Sequence, residues 1–520
     1  MKDGWYKLST TNNTESTDAK SILSYLPRKL NYGRKRIILD FEEVTPNNIV
    51  DVLNRALYIH GQNRKDCDYL IKYFLGDQDI LYRTGPQTSN INNTTVVNYA
   101  YPITREVVGY TFGNPVEYVA KDSNKQSEVT KLCDMFEYEH VYNYDICNAI
   151  YSSICGVSYA ITLPSPEITK DNTPDVPIIM DSLDPRNTFV VQANTIGNPQ
   201  IMSCNIITKT NGKKEYVCYT NKYKMIVTDG MKSVTYEANP IGLDPITMIE
   251  NSLFLTGDWE QAISVMNAAN LVASDSLNDI EGTIRSLLVI LGAEFDENEK
   301  DTDLAQIKTN RLLTLFAPNG GNVDAKFISP QLDSNSVQNI REYLDEARNI
   351  ITGIPDRESN GNGGDTGLAV QNRNGWTDIE IVARLKEMFY LKGKSKQVAI
   401  ALAILKNLGK IAKDLTVMDI HIKPKRHTLS DISAKTTAFS TLVATGELAT
   451  IDALELSSLT NRPAEMVERG KQAKKERQEE AIAMAKAAAD ASGEGKQNGA
   501  NKTAEIEKAA SGNNKKQQQK

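Results

Sequence analysis

The 520-residue chain lacks the patterns from which an enzyme is usually read. It has no Gly-x-x-x-x-Gly-Lys-Ser/Thr loop to cradle phosphates, no His-Glu-x-x-His helix and no Gly-x-Ser-x-Gly elbow. Its four histidines, His60, His140, His421 and His427, are scattered. The six cysteines, Cys67, Cys133, Cys147, Cys155, Cys204 and Cys218, include no Cys-x-x-Cys pair. That spacing argues against a structural zinc site and suits small buried apolar residues in a reducing compartment. No apolar run approaches the ~20 residues a bilayer span needs, and the opening MKDGWYKLSTTNNTESTDAK has no apolar signal core. Folding in a cytosol, with no membrane partner, is therefore expected. An excess of positive charge is also lacking: the net charge is -7, which excludes a protein that coats DNA through an overall basic surface. No metal and no cofactor is expected. A long chain without a catalytic constellation points to a structural or binding role.

What is present is an alternation of helical and extended patterns, an α+β class. Residues 1–43 are polar and predicted to be partly extended. Thr45-Pro46 predicts a helix start, with apolar residues from Ile49 to Phe74 at helical spacing and Gly76 as the stop. Further helices are predicted after Pro102 as far as Gly113, over 125–139 and over 141–155. From Gly156 the rhythm becomes short and β-like, with Asn211-Gly212 and Asp229-Gly230 as hairpin turns, which predicts an antiparallel sheet.

A long helix is then predicted over 258–283. Trp259, Ile263, Met266, Asn270, Ala273, Leu277, Ile280 and Ile284 follow a 4-3-4-3 spacing, a coiled-coil-like seam interrupted by one asparagine. A second face carries Ala262, Val265, Ala269, Val272 and Ser276, small enough to let another helix approach closely. Two packing faces suit a bundle or a ring; an ordinary buried helix in a monomer would read the same way. Residues 285–330 form a compact insertion containing an acidic run with Glu294, Asp296, Glu297, Glu299 and Asp301, either a solvated loop or a docking surface. A second long helix over 336–352 has Val337, Ile340, Leu344, Ala347 and Ile351 at heptad-like spacing, and the two helices are predicted to pack antiparallel with the insertion at their far end.

That second helix stops abruptly at Gly353-Ile354-Pro355. A polar loop follows: Asp356, Arg357, Glu358, Ser359, Asn360, Gly361, Asn362, Gly363, Gly364, Asp365, Thr366 and Gly367. With no large apolar residue to pack, it is predicted to be exposed and to touch something. Helix resumes over 368–412, with Gly375 as a possible kink, and the run VMDIHIKP predicts a strand. Short helices are predicted over 431–445 and 451–460 and from Pro463 onward; residues 484–520, without aromatics, are predicted to be a disordered polar tail.

Several stretches, in order, resemble the portal proteins of tailed bacteriophages. They are Val96-Val97-Asn98-Tyr99-Ala100-Tyr101-Pro102-Ile103, Val108-Gly109-Tyr110-Thr111-Phe112-Gly113-Asn114-Pro115-Val116, Leu183-Asp184-Pro185-Arg186-Asn187-Thr188-Phe189, Asn239 to Ile246 with Glu250-Asn251, Asp258-Trp259-Glu260 with Ser274-Asp275 and Asn278-Asp279, and Gly353-Ile354-Pro355 with Gly367-Leu368-Ala369. Ile241 stands where an aromatic is common in that family, and Thr366 where serine is common before the glycine. The resemblance implies a mainly helical portal fold: an N-terminal arm (1–43), a wing (44–255 and 368–429), long antiparallel stem helices (256–284 and 331–353), a small α/β clip (285–330), a tunnel loop (354–367) and a helical crown (430–483). It also implies a ring of usually twelve copies at a single capsid vertex of the virion, assembled in the host cytoplasm. Such a ring is a head-tail connector and the conduit for genome packaging and ejection. Its partners would be double-stranded DNA in the channel, the terminase large subunit, a head-tail adaptor, scaffold and the major capsid protein. On that reading Trp259, Ala262, Ile263, Met266, Ala269 and Val272 pack the ring, the acidic residues 294–301 dock partners, and Arg357 to Asp365 line the channel. Arg357 could instead pair with Glu358 or with a neighbouring subunit. The alternatives are another ring-forming virion protein and an enzyme with an unrecognised site.

Overall fold

The computed structural model describes residues 30–84, 91–169, 173–284, 287–291, 324–328, 334–355, 376–426, 432–446, 448–457, 459 and 463–491. They form an α+β fold in two compact units, divided between His427 and Thr428.

In the first unit α1 (Ile49–Phe74) begins at an Asn48 cap rather than at Thr45. The Asn48 side chain accepts from the Thr45 N–H at 2.8 Å, and the Thr45 carbonyl, not its hydroxyl, receives the first helical N–H. One face of α1 (Ile49, Val52, Leu53, Ala56) covers a six-stranded sheet in the order β1-β5-β6-β7-β8-β9, made of β1 (Ile37–Leu39), β5 (Thr188–Ala193), β6 (Gln200–Thr208), β7 (Lys214–Tyr219), β8 (Tyr223–Thr228) and β9 (Ser233–Ala238). The sheet is not wholly antiparallel. β1 joins β5 in parallel, because the intervening α1 carries the chain across the face before it returns.

α2 (Ala100–Phe112) starts two residues before Pro102, which occupies the first turn, where its missing N–H costs nothing. α3 (Gln126–Tyr138) and α4 (Val141–Cys155) follow. Some strands escaped the sequence pattern. β2 (Asn114–Ala120) pairs with β13 (Ile420–Lys425), and β10 (Ile246–Glu250) pairs with β3 (Val157–Pro164), which also pairs with β4 (Ile178–Leu183). α7 (Trp376–Asn407) packs on β10 and β3 and ends earlier than the pattern predicts; Gly375 lies outside the described residues.

α5 (Ile263–Ile284) follows a short 3-10 turn and leads into β11 (Leu287–Leu291). β11 pairs antiparallel with β12 (Asp324–Ile328), which precedes α6 (Ser334–Thr352). α6 returns alongside α5 to the 3-10 turn at Glu260–Ala262, so the two helices form an antiparallel pair.

The second unit holds α8 (Ile432–Ala444), α9 (Thr450–Ser457) and α10 (Pro463–Ala491). α10 continues past residue 483, where a disordered tail was expected to begin; its run of Ala, Lys, Glu and Gln favours helix. Residues 492–520 lie outside the described residues.

Candidate functional site

The helix pair α5–α6 is held at one end by the segment Asn251–Glu260, which is threaded between the N-terminal strand and the end of α4. Its backbone comes so close that side chains are excluded on both flanks. A Cβ on Gly156 would lie 1.9 Å from the Leu255 carbonyl oxygen, and one on Gly33 would lie 2.2 Å from that of Phe254; both glycines also have positive φ.

Three consecutive side chains then fix the root of α5. Asp258 accepts hydrogen bonds from the Ser153 hydroxyl (2.6 Å), the Lys386 ammonium (2.6 Å) and the Asn251 amide (2.8 Å). Trp259 is fully buried, stacks on Tyr73 at 5.5 Å and donates its indole N–H to Thr104 at 3.0 Å. Glu260 accepts from the Arg34 guanidinium (2.6 Å) and from the N–H groups of Gly33 (2.7 Å) and Gly257 (2.8 Å). Burial still raises the Glu260 carboxyl above its usual range, against the pull of Arg34 and the two N–H donors. These are charges that must stay paired: removing one partner of a buried pair leaves the other desolvated and alone.

Further along α5 a polar stripe replaces the apolar one. Asn270, Ser274 and Asn278 accept from the backbone N–H groups of Val97 (2.7 Å), Thr95 (2.9 Å) and Asn93 (2.6 Å). Every fourth residue of a helix repeats at ~6 Å, and every second residue of an extended chain at ~6.6 Å, so the two ladders match over three rungs. The Asn270 amide also donates to Gln78 (2.6 Å), and Asn267 donates to Asp79 (3.0 Å) while accepting from the Tyr73 hydroxyl (2.9 Å). Burial pushes the Asp79 carboxyl up to about 6. Where the strap 91–99 meets α6, the Arg348 guanidinium lies over the Tyr99 ring at 3.8 Å.

Along the outer sides of the pair apolar side chains stay exposed. Leu271, Leu277 and Ile280 on α5 and Ile340, Tyr343, Ile350 and Ile351 on α6 are exposed, with Ile280 at 57%. On α7 Ile381, Leu385 and Met388 form another exposed stripe at i, i+4, i+7. α5 carries Asp275, Asp279 and Glu281 and no lysine or arginine.

The expected ring-packing residues fall into two groups. Trp259, Ala262, Ile263 and Met266 are buried in one cluster with Leu70 and Tyr73 of α1 and with Ile103 and Val107 of α2, so their surface is spent inside the chain. Ala269 and Val272 remain half-buried. The expected channel residues Arg357, Glu358, Ser359, Asn360, Gly361, Asn362, Gly363, Gly364 and Asp365 lie outside the described residues, as do the expected docking residues Glu294, Asp296, Glu297, Glu299 and Asp301. The ladder residues and the buried lysines Lys386 and Lys394 were not anticipated; the only signal was polar residues spaced four apart on one helix face. Among the described residues no group of three or more His, Cys, Asp or Glu side chains is placed to hold a metal ion, and no helix is long and apolar enough to cross a membrane.

The α+β body thus carries a rooted antiparallel helix pair with exposed apolar residues, a surface of the kind that marks protein–protein contacts. The chain belongs to the phage portal protein family: the family model described as "Phage portal protein, SPP1 Gp6-like" matches residues 53–480. No curated relative matches it. Among solved structures, a chain of the neck of a native GTA particle, computed with C12 symmetry, is 12% identical over 70% of this chain and 91% of that one, with a TM-score of 0.42, a likeness too distant to carry an argument.

Proposed function

We propose that the chain is the subunit of a ring at one capsid vertex, a non-enzymatic conduit for double-stranded DNA during packaging and ejection and a docking platform for terminase and a head-tail adaptor. Family membership over most of the chain carries this reading. The helix pair α5–α6 is its stem, residues 285–330 the clip that meets partners, residues 354–367 the loop facing the channel and the second unit the crown. Twelve copies are the expected number, and scaffold and the major capsid protein surround the ring during assembly.

The charge distribution supports the reading. Duplex DNA carries one negative charge per ~1.7 Å, so a basic wall would bind and stall it. A stem helix whose only charged side chains are carboxylates, one of them (Asp275) paired with Arg83 at 2.6 Å, offers the duplex no cation of its own, and any net repulsion fades beyond a Debye length of ~8 Å. Energy for translocation then comes from a partner ATPase. Acidic partner-docking residues in the clip and transient phosphate contact at Arg357 complete the proposal.

The test is electron microscopy of the purified full chain, with light scattering to count subunits, alone and after co-expression with capsid protein and scaffold. The expected result is rings with a central hole that admits a duplex on the order of 20 Å wide, a width set by its grooves and backbone. Monomers under every condition would overturn the ring. Rings that form while deletion of 359–366 leaves packaging normal would overturn the role given to the loop alone.

A further inference from the structure

The six cysteines show no motif in the sequence, yet the fold brings four of them together in two buried pairs, Cys67 with Cys155 and Cys204 with Cys218, and sets the second pair directly across two strands. Cys204 of β6 and Cys218 of β7 are direct partners in the antiparallel register. The hydrogen-bond pattern fixes the kind of pair they make. The Lys209 N–H donates to the Lys213 carbonyl at 2.9 Å, so counting back by alternate residues puts Cys204 and Cys218 at a pair that exchanges no backbone hydrogen bonds. The outer neighbours agree. The Ile206 N–H donates to Asn187 (2.7 Å) and the Thr220 N–H to Tyr223 (2.9 Å), which turns the backbone of Cys204 toward β5 and that of Cys218 toward β8. In such a pair the Cα atoms approach to about 4.5 Å and the side chains lean together, within the range a disulfide spans. Both thiols are fully buried in the core between the sheet and α1.

We infer that Cys204 and Cys218 are a modification site: a preset dithiol that closes to an intrachain disulfide when a small-molecule disulfide is the oxidant. One cysteine thiolate attacks a sulfur of the oxidant, forming a mixed disulfide and releasing one thiolate. The opposed cysteine gives up its proton to solvent and attacks the protein sulfur, releasing the second. Two protein thiols are oxidised and one small disulfide is reduced to two thiols. Burial, reinforced by the neighbouring Cys218 thiol, pushes the Cys204 thiol up, so closure requires local opening of the hairpin and runs faster at alkaline pH. The product staples the ends of the 205–217 hairpin and stiffens the sheet that α1 covers. This inference stands apart from the ring and channel reading.

The test is oxidation of the full-length protein with oxidised glutathione at mildly alkaline pH, followed by alkylation, thiol counting in denaturant and peptide mapping by mass spectrometry. A linked peptide pair holding Cys204 and Cys218, two hydrogens lighter and restored by dithiothreitol, should appear as at least two of the six free thiols are lost. The thermal midpoint of the oxidised protein should rise. A Cys204→Ser/Cys218→Ser variant should show neither that link nor the gain in stability; should it fail to fold, the wild-type peptide map decides. Exhaustive oxidation that leaves Cys204 and Cys218 alkylatable, or that links either of them to a different cysteine, would overturn the assignment.

Discussion

The two ends of α5 obey the same heptad-like spacing and have opposite fates. At the N-terminal end Trp259, Ile263 and Met266 disappear into a core with α1 and α2. At the C-terminal end Leu277 and Ile280, next in the same seam, are exposed. Between them Asn270 and Ser274, both fully buried, bond the helix to the strap 91–99. One end of the helix is thus buried in its own chain, while at the other two apolar side chains of the same seam stay exposed. Hydrophobic spacing locates a face; it does not say which chain covers it.

The largest effect belongs to the buried end. Trp259→Ala should remove the stack on Tyr73 and the bond to Thr104 and leave a cavity, costing about 3–5 kcal/mol in equilibrium unfolding of the full chain. A loss below about 1 kcal/mol would mean that the cluster can collapse around the missing ring and that the root is not rigid.

A smaller effect tests the middle of the helix through pH. The Asp79 carboxyl, bonded to Asn267, is pushed from 3.8 up to about 6 by burial. The native state therefore holds this proton more tightly than the unfolded chain does. The stabilisation is fully present below pH 3.8 and is lost as pH rises through 6, up to about 3 kcal/mol at ~1.4 kcal/mol per unit. Asp79→Asn should flatten that part of the stability profile, as read from chemical unfolding at a series of pH values. An unchanged slope would show that the carboxyl reaches water and that the joint between α5 and the rest of the unit is wet.

Much of this architecture was legible in the chain. Helices α1, α3 and α4, the hairpins at Asn211-Gly212 and Asp229-Gly230, and the antiparallel pairing of α5 with α6 all follow from local periodicity and turn chemistry. The rest depended on distance. β2 contains Pro115 and β10 follows Pro245, so both read as loop; they become strands because partners arrive from some 300 and 90 residues away along the chain. Nothing in the helical pattern over 368–412 singles out Lys386 and Lys394, and only the folded chain supplies Asp258 and Asp145 at 2.6 and 2.7 Å. Asn270 looked like a flaw in a coiled-coil seam. It is a hydrogen-bond acceptor for a segment more than 170 residues upstream, information that helical spacing does not contain.

The smallest effect on the isolated chain is the most discriminating. Leu277→Ser with Ile280→Ser replaces two exposed apolar side chains, so unfolding of the monomer should shift by no more than about 0.5 kcal/mol. If a second copy covers this end of α5, the same pair of changes removes apolar area from every contact around a ring, and light scattering should then report small species where the parent protein gives rings. The Trp259→Ala variant should behave in the opposite way: its subunits would be destabilised, while those that remain folded keep the open end intact and still associate. Rings that persist in the Leu277/Ile280 variant would mean that this end of α5 faces solvent or the channel, and would leave the exposed stripe of Ile381, Leu385 and Met388 on α7 as another candidate contact face.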